Sequence, residues 1–203
     1  MKVLGITGAA RSGKDTFCKL VKDFLKTKTI ISRRLAFADI LKAELDPFIF
    51  NNFGFSVFTN DPAKKKIIRP LMVAYGCAKR ELSNNKYWIE KIETIIDKTE
   101  KDFLNGSNYV YIVTDVRFCD SATDEVFWLK NWMKGKLINL ELILEDGSVL
   151  EGANDEEKKR IPILKSHADY QFSWNITGED EQKILDNKQK VFKFLEENPS
   201  IWS

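Results

Sequence analysis

Residues 8–16 read Gly-Ala-Ala-Arg-Ser-Gly-Lys-Asp-Thr. The spacing Gly-x-x-x-x-Gly-Lys, set by Gly8, Gly13 and Lys14, is that of a loop that wraps a phosphate. Glycine lets backbone N–H groups turn toward an anion without a Cβ clash. A helix starting after the loop adds partial positive charge, and a lysine there reaches the β- and γ-phosphates of a nucleotide. Ser12 lies within the loop, and Arg11 is either a second cation or a solvated loop residue. The next position should carry the hydroxyl that holds Mg²⁺, but it is Asp15, and Thr16 comes one place late. The site is thus a damaged loop, a working variant or a coincidence of spacing.

The flanking elements decide against coincidence. Residues 2–7 form an apolar run suited to a buried parallel strand. Phe17, Leu20, Val21, Phe24 and Leu25 then recur at helical spacing. A second strand is expected over 30–38, followed by a helix capped by Asp39. Aromatic residues 48–58 and the helical pattern from Trp88 to Phe103 read as a helical insert. Residues 105–108 read as a turn, and 109–115 as a buried strand ending in Asp115. An acid at the carboxyl end of such a strand lies where ligands bind; it organises magnesium, positions substrate or only caps a turn. Further elements are a helix over 122–133, a strand over 136–144, a polar segment over 145–167, a strand over 170–178 ending near Asn175, and a last helix. That last helix should turn Ile184, Leu185, Val191, Phe192 and Leu195 inward. The polar segment carries Lys158, Lys159, Arg160 and Lys165, and reads as a basic lid or a solvated helix.

Alternation of strand and helix predicts an α/β fold: a three-layer P-loop fold with a parallel sheet. The expected organisation is one domain over 1–203. Its core spans 1–45, 105–144 and 168–203, a helical substrate-binding insert spans about 46–104, and a lid spans about 145–167. A formal net charge of +2 gives no broad basic track for nucleic acid. No apolar stretch has the length of a membrane span. Cys18, Cys77 and Cys119 show no metal spacing and read as free thiols of a reducing cytoplasm.

The ordered set of motifs resembles the bacteriophage deoxynucleoside monophosphate kinases, within the P-loop nucleoside monophosphate kinase group. The resemblance rests on GAARSGKDT, on LAFADILKAEL at 35–45, on RPLMVAYGCAKR with the following YW, on VTDVRF at 113–118 and on WNITG. Gly-Lys-Asp-Thr is also seen in that family, which favours a working variant. The resemblance implies ATP and Mg²⁺ as cofactors and a small-molecule nucleotide as acceptor. It allows a homodimer, and implies a cytoplasmic protein, in the host cytoplasm if viral.

By the same resemblance, Arg69, Lys79 and Arg80 would grip the acceptor phosphate and Trp88 would wall its pocket, unless Trp88 is a core residue. Asp39, Lys42, Asp115 and Arg117 would line the cleft between the nucleotides. Arg160, with Lys158 or Lys165, would close on ATP, and Asn175 would lie near adenine. Two arrangements stay open at the metal: Asp15 holds Mg²⁺ through water, or Thr16 supplies the hydroxyl and Asp15 positions the acceptor. The chain departs from the family where CDSA offers only Asp120 as the acid after VTDVRF, and where Lys-Ser-His-Ala-Asp replaces a Ser-Glu pair. The implied reaction is ATP-dependent phosphorylation of a deoxynucleoside 5′-monophosphate. The alternatives are another small-molecule P-loop kinase, of phosphomevalonate or dephospho-coenzyme A type, and a non-catalytic nucleotide-binding module.

Overall fold

The computed structural model describes residues 2–102, 108–175 and 181–203. The expected turn at 105–107, Phe103, and residues 176–178 of the WNITG motif lie outside these. The described residues form two compact units. One holds the residues up to Leu35 and those from Asn108 onward; the other is Ala36–Asp102.

The first unit is built on five parallel strands in the order β2-β3-β1-β4-β5. They are β1 (Lys2–Thr7), β2 (Ile31–Leu35), β3 (Tyr109–Val113), β4 (Lys136–Leu142) and β5 (Tyr170–Trp174). Apolar residues on both faces of β1, β3 and β4 allow helices on both sides. On one face Leu4, Ile6, Val110, Ile112, Ile138 and Leu140 pack with Phe17, Val21 and Phe24 of α1 (Lys14–Thr27). Val191 and Leu195 of α7 (Glu181–Glu197) complete this layer. On the other face Gly5 makes room: a Cβ there would lie 2.3 Å from Leu129. Leu129 belongs to a π-helical turn (Trp128–Trp132) that continues the short α5 (Glu125–Phe127). Helix α6 (Asp155–His167) follows β4 and is anchored through Lys165 and Glu141. Sheet and two helical layers make this the three-layer α/β fold of P-loop type.

The second unit is helical: α2 (Phe37–Phe53), α3 (Pro62–Leu82) and α4 (Tyr87–Asp102). Its core joins Leu45, Ile49, Val57 and Ile68. The helical unit starts at Ala36, not near residue 46, because α2 packs its Leu45 and Ile49 with the helices that follow it.

Several elements differ from expectation. Asp39 does not cap α2; Ala36 is the N-cap and Asp39 lies in the first turn. β3 ends at Val113, two residues before Asp115. The helix expected from 122 starts at Glu125, after a loop held by acidic side chains. Ile184 and Leu185 are exposed, and Val191 and Leu195 carry the buried stripe of α7. Periodicity alone did not fix which turn of α7 meets the core.

Candidate phosphate site

The loop 8–13 leaves the carboxyl end of β1, the middle strand, where the chain's crossovers part to either side. Open α/β sheets bind ligands at such a point. Gly8 has φ 139°, and a Cβ on it would lie 2.3 Å from the Leu140 carbonyl oxygen. The loop therefore presses onto β4 as no other residue type could. Gly13, at φ 85°, is the N-cap of α1, and no side chain caps that helix. Its first N–H groups are left for an outside acceptor. Arg11 holds φ 67°, a strained backbone for a residue with a Cβ.

Two hydrogen bonds hold the loop, one from β5 and one within the loop itself. The Trp174 indole N–H donates to the Ser12 carbonyl at 3.0 Å, and the Ser12 N–H donates to Ala9 O at 3.1 Å. The Ser12 hydroxyl is fully buried and has no hydrogen-bond partner among the described residues. Asn139 of β4, paired in register with Thr7, is likewise buried, and neither of its amide atoms has a partner among the described residues. Such groups cost free energy until a water or ligand pairs them.

Lys14 lies back on the loop, donating to Gly8 O at 3.0 Å and Ala9 O at 2.7 Å. Burial, and after it the Arg117 guanidinium, lower its pKa to about 8, against the charges of Glu157, Asp115 and Asp15. Arg117, Asp115 and Glu157 therefore stand within electrostatic reach of the lysine. Arg117 is exposed, but its loop is rigidly held. The buried Glu125 accepts from the N–H groups of Arg117 at 2.6 Å and Phe118 at 3.2 Å. The buried Asp124 accepts from Asp120 N at 2.7 Å and Ser121 N at 2.9 Å.

Asp15 is exposed and accepts from Arg34 Nε of β2 at 2.9 Å. Thr16, beside it, is also exposed. Among the described residues, no group of three or more His, Cys, Asp or Glu could hold a metal ion. The donors present fit Mg²⁺ of the nucleotide-borne kind, in which phosphate oxygens and water supply most ligands and the protein adds one or two.

The polar segment read as a basic lid or a solvated helix forms α6 over Asp155–His167, and three of its cations are engaged in ion pairs. Arg160 stacks over the Phe118 ring at 4.5 Å and pairs with Asp120 at 3.5 Å and Glu156 at 3.2 Å. Lys158 pairs with Glu151, and Lys165 with Glu141. The side chain of α6 that reaches the loop is an acid: Glu157 Oε1 accepts from the Ala10 N–H at 2.9 Å. Asn175 is exposed, and its carbonyl accepts from Asn187 Nδ2 at 3.0 Å.

The helical unit carries the other candidate residues. Arg69 of α3 is exposed, and Arg80 is half-buried. Lys42 of α2 lies 3.9 Å from Asp39 and over the Phe58 ring. Lys79 lies 3.5 Å from Glu44 and 4.5 Å from the Tyr87 ring centre. Glu44 accepts from the hydroxyls of Tyr75 and Tyr87. Burial pushes the Glu44 carboxyl up, but the two tyrosines and Lys79 outweigh it and hold it below its ordinary value. Trp88 is buried, 4 % exposed, and its indole N–H donates to Gly76 O at 3.2 Å. This is the core placement of the two that the sequence left open.

Sequence reasoning missed Glu157, Arg34, Glu125 and Trp174. Only Glu157 left a signal: Asn154-x-x-Glu157 is a capping-box spacing, and Asn154 does cap α6.

No protein-family model matches the sequence, and no curated protein matches it. Solved structures do. A dephospho-CoA kinase from Campylobacter jejuni is 16 % identical, with a TM-score of 0.46 over 96 % of this chain and 99 % of its own. A shikimate kinase from Bacteroides thetaiotaomicron is 15 % identical, at 0.41 over 96 % and 98 %. A shikimate kinase from Acinetobacter baumannii, solved with shikimate, is 13 % identical, at 0.44 over 98 % and 94 %. With scores this low, the class of the chain rests on its own strand order and loop: an α/β protein whose central strand leads into a glycine-rich loop with the spacing of a phosphate loop.

Proposed function

We propose that the protein is an ATP- and Mg²⁺-dependent kinase that phosphorylates a deoxynucleoside 5′-monophosphate to the diphosphate. The observation that carries the phosphoryl-transfer reading is the uncapped start of α1, with Gly8 and Gly13 shaping the loop and Lys14 beside it. The acceptor class is supported by the resemblance of the four motif segments and the WNITG stretch to the phage kinases.

An acceptor phosphate is already anionic at neutral pH, so the reaction needs charge neutralisation and alignment more than a strong base. Lys14 would leave the Gly8 and Ala9 carbonyls and take phosphate oxygens. The loop N–H groups and the start of α1 would hold the rest of the chain. Arg117, on its braced loop, would add a second positive charge, and Asp115 would orient water or substrate. Arg160 would reach the transferring group only after leaving Asp120 and Glu156. Mg²⁺, when bound, screens the repulsion between the phosphates, with Thr16 the hydroxyl offered to it, since Asp15 is engaged by Arg34. Arg11, Ser12 and Asn175 are proposed for the ATP side. Asp39, Lys42, Arg69, Lys79 and Arg80 are proposed for the acceptor, where guanidinium groups suit phosphate.

The test is ADP release from ATP and Mg²⁺ with each deoxynucleoside and ribonucleoside monophosphate separately. Dephospho-coenzyme A, phosphomevalonate and shikimate are run alongside. Stimulation by a deoxynucleoside monophosphate, with its diphosphate as product, is the expected result. Stimulation only by one of the other acceptors would move the protein to another kinase class, and ATP binding without any stimulation would make it a binding module.

A further inference from the structure

A phosphate loop presents backbone N–H donors to an anionic acceptor. In this loop the Ala10 N–H is satisfied by the chain itself. Its acceptor is the Glu157 carboxylate, 2.9 Å away and half-buried. A carboxylate and a phosphate oxygen have the same requirement for N–H donors.

Glu157 is placed there by construction. It lies in the first turn of α6, where the Asn154 side chain accepts from its N–H at 2.8 Å. Its second carboxylate oxygen accepts from Ala153 N at 2.7 Å. Gly152 lies flush against this turn: a Cβ there would be 2.6 Å from Lys158 N. The other end of α6 is fixed by Lys165 on Glu141 of β4 and by Lys130 of the π-helical turn, which donates to the His167 carbonyl at 2.7 Å, and its Leu164 is buried. Helix α6 is thus anchored at its far end, and one acidic side chain ties its near end to the loop. Lys158, Arg160 and Lys165 of α6 pair with Glu151, Asp120 and Glu141.

We propose that Glu157 is the resident anion of the phosphate loop, competing with a nucleotide phosphate for the Ala10 N–H and so setting the affinity of the loop for phosphate chains. The proposal rests on the phosphate-loop reading above. A phosphate chain that reaches Ala10 meets a donor already taken and a like charge beside it. To bind, it must displace Glu157 and release the near end of α6. The observed affinity is then the intrinsic affinity reduced by the fraction of molecules in which Glu157 has left. Glu157 would in this way be an affinity-determining residue of the site. No sequence motif for the loop includes it, because it arrives from another element.

The test is calorimetric binding of ATP, ADP and inorganic tripolyphosphate to the full chain and to E157Q, E157A and D155N. Asp155 follows the cap of the same helix, so D155N removes the same charge two residues away from the loop contact. Thermal unfolding of each variant checks the fold. E157Q and E157A should bind at least one of the three ligands roughly five- to tenfold tighter than the parent, as expected for loss of a charge-assisted competitor. D155N should stay within about twofold of the parent. Unchanged or weaker binding by folded E157Q and E157A would overturn the competition, as would an equal gain in D155N, which would mark a bulk charge effect. Absence of binding by parent and variants alike would instead overturn the phosphate-loop reading, and the competition with it.

Discussion

Arg34 of β2 donates from Nε to Asp15 Oδ1 at 2.9 Å, joining the edge strand to the first turn of α1. The acid that stands where a phosphate loop usually has a hydroxyl is thereby given a partner. Under the proposed function, Thr16 supplies the hydroxyl to the metal. T16A should raise the Mg²⁺ concentration needed for half-maximal turnover several-fold, and T16S should restore it. D15N should shift unfolding stability by less than about 1 kcal/mol, because an exposed pair contributes little. Mg²⁺ titrations of the three variants decide between the residues; a larger metal defect in D15N than in T16A would return Asp15 to the metal.

Lys14 makes a pH prediction. Its pKa in the folded chain is lowered to about 8 from 10.5. Between these values the unfolded chain binds more protons, so this group's contribution to stability rises with pH across that window. Phosphate binding favours the charged lysine, so ATP should take up protons on binding in the same window, and its affinity should fall as pH rises above about 8. Calorimetry in two buffers of different ionisation enthalpy measures the uptake, and K14M should show none.

The Arg117 loop is held by a carboxylate that the sequence reading did not choose. E125A should cost about 2–3 kcal/mol in urea unfolding, because it leaves the N–H groups of Arg117 and Phe118 without their buried acceptor. It should also lower kcat, and do so much less in an R117A background. Additive losses in the double variant would mean that Glu125 does not act through Arg117.

Trp88 separates core from pocket. W88F keeps most of the ring and loses the bond to Gly76 O. It should lower stability by about 1 kcal/mol and leave KM for the acceptor unchanged. A rise in acceptor KM without loss of stability would place the indole against substrate.

The loop was legible because its chemistry is local: two glycines, a lysine, an apolar run before and a helical stripe after are all within 25 residues. The sheet was legible for a similar reason, since β1, β3 and β4 are short apolar runs between helical patterns. The surroundings of the loop come from distant segments. Trp174 reaches Ser12 from β5, Arg34 reaches Asp15 from β2, and Glu157 reaches Ala10 from α6. Charge content over 145–167 pointed to lysines and arginines, but Lys158, Arg160 and Lys165 are engaged by Glu151, Asp120 and Glu141, and the acid Glu157 meets the loop. The acid after VTDVRF was sought at Asp120; the buried acids that hold that loop are Asp124 and Glu125, and burial is a property no spacing reveals.

The central claim is transfer of a phosphoryl group from ATP on this loop. The direct measurement is acceptor-dependent ADP formation by the parent chain and by K14M, with a panel of monophosphates and identification of the product. The expected result is a deoxynucleoside diphosphate from the parent and loss of turnover by at least about a thousandfold in K14M, with its unfolding transition retained. Turnover in K14M close to that of the parent, or no acceptor-dependent ADP from the parent, would contradict it.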